Sequence, residues 1–186
     1  IVGGIGLLLV MLLGSLQSCS SMFGGGASNF MASSYLSEDA DMLAAEEAYC
    51  AKEDELREYL DTYEATHDYD EYHFDLDEIE HDPYVLISIL SALHEGMFTI
   101  DQVQGDLQTL FDKQYILTET VTTETRYDSD GDPYTWTICT VTLENFDLSH
   151  VPVYMMGEDQ LSLYATYMST LGNRPDLFPS SGYVSK

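Results

Sequence analysis

The sequence predicts an α+β chain: an N-terminal transmembrane helix, an acidic helix, then a small helix-helix-β-hairpin unit, winged-helix-like in order, with a C-terminal helix. Three observations carry this. The chain opens on an apolar run without charge, apolar residues recur at helical spacing up to Lys113, and at Tyr115 the period drops from 3.6 to 2.

Residues 1–16 hold no charged side chain, and the first one in the chain is Glu38. A spanning helix needs about 20 apolar residues. The run is slightly shorter and begins with Ile1 rather than Met, as expected of an anchor (1–19) truncated at its start. Leu16-Gln17-Ser18-Cys19 also loosely resembles a lipobox, which makes Cys19 a lipidation candidate. Under both readings residues 1–18 meet the membrane and the bulk of the chain is extracytoplasmic. Residues 20–37, rich in Ser, Gly and Ala, read as a flexible tether.

Charge narrows the function. The 186 residues carry 33 Asp and Glu against 6 Lys and Arg, a formal −27. Such a surface repels phosphate backbones, so no nucleic acid is expected as a partner. With 45% hydrophobic residues the chain is too apolar for a disordered tail. The segment 38–81 reads as an acidic helix and arm. Ser37 is the expected N-cap, and Met42, Leu43, Tyr49, Leu56, Leu60 and Tyr63 form a narrow stripe suited to a partner helix or a stalk. Beyond it, His67, His73 and His81 stand among many carboxylates at spacings that fit no zinc motif, so this stretch reads as a solvated acidic arm.

The compact unit is placed at 82–175. Asp82-Pro83 is a helix start, and Gly96 suits a left-handed stop. Thr99 and Gln102 have capping-box spacing for a second helix, which runs to about Lys113. Tyr115 to Tyr127 and Tyr134 to Glu144 flank turn residues, which predicts a long hairpin. Asp128, Asp130 and Asp132 at its tip are weak calcium candidates, since the loop lacks the glycine and the distal acid of an EF-hand. Cys139 reads as a buried strand residue, and a pairing with His150 as a nucleophile is disfavoured. Glu158 opens a last helix that stops at Gly172. No residue set is complete enough to assign catalysis, a cofactor or a metal.

Four strings carry a resemblance: Tyr35 to Glu46, Thr66 to Leu93, Tyr115 to Tyr127 and Leu171 to Phe178. Together they resemble the membrane-anchored cell-wall hydrolases of Gram-positive conjugative transposons, mobile element proteins that end in an NlpC-type cysteine peptidase. The resemblance implies a non-catalytic anchoring and positioning region, with peptidoglycan and conjugative secretion proteins as partners. It also implies that 176–186 is a linker toward a peptidase domain that this sequence does not contain. The alternative is a standalone extracytoplasmic interaction module, in one version calcium-responsive.

Overall fold

The structure, a computed structural model, describes residues 32–184. Helix α1 (Asp39–Asp61) is followed by the short α2 (Tyr63–Thr66), strand β1 (Glu71–Leu76), helices α3 (Pro83–Leu93) and α4 (Ile100–Gln114), strands β2 (Tyr115–Tyr127) and β3 (Pro133–Asn145), and helix α5 (Glu158–Thr170). The fold is α+β with one three-stranded sheet in the order β1-β3-β2. The anchor 1–19, with Cys19, lies outside the described residues. Among the described residues no helix is long and apolar enough to cross a membrane.

Helix α3 is the centre of the core. Every residue from Tyr84 to Ala92 is buried, as an element apolar on most sides requires. Its start follows from local chemistry: Asp82 accepts the Tyr84 N–H at 2.9 Å, and Pro83 occupies the first turn, where a missing donor costs nothing. Its end bends through Glu95 and Gly96, both at positive φ, with the Gly96 N–H on the Ser91 carbonyl at 2.8 Å. In α4 the Thr99 N–H donates to Gln102 Oε1 at 3.0 Å, the expected capping box.

The N-cap of α1 differs from expectation. It is Glu38, and the Ser37 hydroxyl instead accepts the Phe98 N–H at 2.9 Å, which ties the entry of α1 to the loop before α4. Most of the stripe belongs to the core: Met42, Tyr49, Leu56, Leu60 and Tyr63 are buried, Leu43 is exposed, and α1 packs on α3 and α4. It is therefore no free stalk.

The acidic arm contains a strand. β1 pairs in parallel with β3, from Glu71 opposite Ile138 to Leu76 opposite Leu143. Thr137 and Asp70 lock the start: the Asp70 N–H donates to the Thr137 carbonyl at 3.1 Å, and Asp70 Oδ2 accepts the Thr137 N–H at 2.7 Å. The Thr137 N–H, and with it the Thr137 hydroxyl at 2.8 Å, hold the Asp70 carboxyl below the usual carboxylate range. β2 and β3 form the expected hairpin from Tyr115–Asn145 to Tyr127–Pro133. Leu117, Cys139, Val141 and Leu143 line its buried face, whereas from Val121 to Tyr127 β2 is largely exposed, so the distal ribbon stands away from the body.

Composition misleads at both ends of the described chain. Tyr35 is 4% exposed, with its hydroxyl 2.7 Å from Ser88 Oγ, so the last residues of the expected tether are part of the core. In the expected linker, Phe178 is buried edge-on against Tyr84, and its N–H donates to the Tyr84 hydroxyl at 3.1 Å. Hydrogen bonds add to the aromatic contacts at both ends: the Thr170 hydroxyl donates to the Ser33 carbonyl at 2.7 Å, and Ser181 Oγ is 2.7 Å from Asp82 Oδ2.

Candidate functional site

Glu46, Cys50 and Glu53 sit at i, i+4 and i+7 on α1 and so share one helix face. The connector between β1 and α3 brings His81 against them. That connector is held by side chains from three elements. Arg57 donates to the Ile79 carbonyl, Asn145 Nδ2 to the Glu78 carbonyl at 2.8 Å, and Gln114 Nε2 to the Glu80 carbonyl at 3.0 Å.

The His81 side chain is 2% exposed and lies between two carboxylates: Nε2 is 2.8 Å from Glu46 Oε2 and Nδ1 is 2.7 Å from Glu53 Oε1. A carboxylate only accepts, so both ring nitrogens must donate and the ring is an imidazolium. Burial alone would lower its pKa. The hydrogen bonds and charges of Glu46 and Glu53 outweigh burial and raise it to about 9. Tyr49 packs edge-on to the ring at 4.6 Å, and the Tyr115 hydroxyl donates to Glu53 Oε2. Cys50 Sγ is 3.3 Å from Glu46 Oε1; burial, then the Glu46 carboxylate, pushes the thiol up to about 12. At neutral pH it is protonated and no nucleophile. Among the described residues, one donor atom each from Glu46, Cys50 and His81 lie within 4.8 Å of one another.

The other candidate residues are dispersed. His67 stacks on Tyr63 with ring centres 3.7 Å apart, and its Nδ1 is 2.7 Å from the Tyr63 carbonyl. His73 pairs with Glu71 at 2.6 Å on the strand edge. The three histidines of the arm therefore do not converge, and only His81 enters a cluster. At the hairpin tip Asp128 Oδ1 accepts the N–H groups of Asp130 and Asp132, both at 2.9 Å, and so shapes the turn. Cys139 is buried 3.3 Å from the Tyr63 hydroxyl, while His150 lies in a 3-10 turn against Phe146. His94 pairs with Asp106 at 2.7 Å.

A second feature is a groove of about 420 Å³ lined by Asp112, Lys113, Ile116, Phe146, Val151 and Tyr154. Its apolar rim is open to solvent: Tyr154 is 72% exposed, and Ile116, Phe146 and the adjoining Val153 are exposed as well. Lys52, Arg57, Arg126 and Arg174 each have a side-chain partner. Among the described residues Lys113 is the remaining lysine or arginine, and it makes no ion pair.

The groove was not apparent from the sequence, because Lys113 and Ile116 flank the α4–β2 junction while Phe146 to Tyr154 follow β3. Compared with family models, with curated proteins and with solved structures, the chain matches none of them.

Proposed function

We propose that this chain is the non-catalytic anchoring and positioning region of a peptidoglycan hydrolase that acts in conjugative transfer across the Gram-positive cell wall. Residues 1–19 hold it at the membrane, and the folded unit outside makes contacts with proteins of the transfer apparatus. The observation that carries this is the open apolar groove beside Lys113, set in a strongly acidic chain. An exposed aromatic rim of this kind fits a protein partner. The formal −27 selects one whose apolar docking segment is flanked by basic residues.

The order helix, strand, two helices and hairpin supports a winged-helix-like reading. Helix α4 stands where a recognition helix would, yet it carries Asp101, Asp106 and Asp112 against Lys113. That balance suits protein and repels phosphate.

Tyr154→Asp in the full protein tests the reading without disturbing the core, because Tyr154 is 72% exposed and lies outside the buried cluster. Loss of one aromatic anchor costs about 2 kcal/mol of binding, so conjugative transfer is expected to fall more than tenfold at unchanged protein level. Cell fractionation is expected to leave the protein in the envelope. Unchanged transfer, or a protein found in the cytosol, rejects the proposal.

A further inference from the structure

We propose that Glu46, Cys50 and His81 bind one zinc-class divalent ion, with Glu53 and Tyr115 holding the histidine behind it. Nitrogen, sulfur and carboxylate oxygen together select a borderline-soft ion such as Zn²⁺ over Ca²⁺ or Mg²⁺, which take oxygen donors alone. The donor atoms already lie within 4.8 Å of one another. A tetrahedral zinc site needs ligand atoms about 3.5 Å apart, so the Glu46 and Cys50 side chains close on the ion as it binds.

The geometry behind the ligands argues for a built site. A zinc-bound histidine ordinarily donates its other ring N–H to a carboxylate, which fixes its orientation and raises its basicity. Here His81 Nδ1 faces Glu53 Oε1 at 2.7 Å, leaving Nε2 on the side of Glu46 and Cys50. Glu53 is itself fixed by the Tyr115 hydroxyl. Glu53 is 4% and Glu46 18% exposed, and Cys50 is half-buried, so the cluster opens toward Glu46 and Cys50. The ion enters there, and its fourth position is left to water.

The exchange balances. Zn²⁺ forms bonds to His81 Nε2, Cys50 Sγ and a Glu46 oxygen; one proton leaves the imidazolium and one the thiol, both to solvent. Glu46 trades an N–H donor for the metal, and the Nδ1–H stays on Glu53. Two positive charges arrive as two depart, so the buried cluster keeps its net charge and no new uncompensated charge is desolvated. The bound ion ties α1 to the connector that precedes α3.

The test is titration of the full chain with Co²⁺ in excess Mg²⁺, which saturates unspecific acidic sites. One Co²⁺ per chain with a near-ultraviolet thiolate-to-cobalt band is expected, displaced by one equivalent of Zn²⁺. Cys50→Ser is expected to abolish the band and weaken Zn²⁺ at least tenfold in competition with a chromophoric chelator. Glu53→Gln is expected to keep the band and weaken Zn²⁺ about 10–100-fold, the usual effect of removing such a supporting group. Glu46→Gln, at the open side, supplies a second ligand test should Cys50→Ser not fold. Absence of the band in the unaltered chain, or equal Zn²⁺ affinity in the ligand variants, overturns the proposal.

Discussion

Replacing His81 by leucine is expected to destabilise the metal-free chain by about 3–5 kcal/mol, the cost of leaving buried charges without their partner. Glu46 and Glu53 would then face each other across an apolar side chain, with Tyr49, Cys50 and Tyr115 around them and no cation between. Urea unfolding with chelator present measures the loss. The same cluster sets a pH dependence. His81 titrates at about 9 in the folded chain against an ordinary value of 6.5, so its contribution is complete below that ordinary value. It is lost as pH rises through the folded value, on the order of 3 kcal/mol in all. Cys50, Tyr49 and Tyr115, all raised by burial in the folded state, add a further loss as pH passes their ordinary values of 9.0 and 10.0. A urea midpoint that stays flat from neutral pH to pH 9 would mean that the ring is not an imidazolium.

Gly172→Ala is expected to be equally severe for a different reason. The residue has φ +60°, and a Cβ there would lie 2.3 Å from the Tyr35 ring. The left-handed conformation costs an alanine about 1–2 kcal/mol, and expelling Tyr35 adds a loss comparable to truncating a buried aromatic, about 3–5 kcal/mol. Tyr35 also donates its N–H to the Gly172 carbonyl at 3.0 Å, so the two backbones move together. Tyr35→Ala alone is expected to cost about 3–5 kcal/mol. The double variant should cost only the left-handed strain, about 1–2 kcal/mol, beyond Tyr35→Ala, because the ring that blocks the new methyl is gone. Additive losses in a denaturation cycle would reject the contact as the cause.

The elements that were legible in the sequence are those specified by neighbours in the chain. Asp82-Pro83, Thr99 with Gln102, and the turn after Tyr127 each act within a few residues, and α3, α4 and the hairpin follow from them. β1 was not legible. Tyr72, Phe74 and Leu76 alternate with Glu71, His73 and Asp75 as a strand requires, but they lie inside an acidic run, and a parallel partner leaves no turn to mark it. Tyr35 was hidden for a related reason, since a lone aromatic among Ser, Ala and Met has no periodicity. The His81 cluster left a half-signal. Glu46 and Glu53 interleave with Met42, Tyr49 and Leu56 on the apolar stripe of α1, and acids at such positions require a buried partner that the pattern alone does not name.

The parallel pairing of β1 bears on synthesis. Asp70 meets Thr137, 67 residues further along the chain. At about 5–20 residues per second, β1 waits several seconds on the ribosome for the strand that will cover it. Throughout that interval Tyr72, Phe74 and Leu76 form a short apolar edge that another nascent chain could capture. The flanking and alternating acids, from Asp68 through Asp82, give every such encounter with another copy of this chain a like-charge repulsion. The charge that looks like solvation in the finished protein thus serves as a gatekeeper while the protein is still being made.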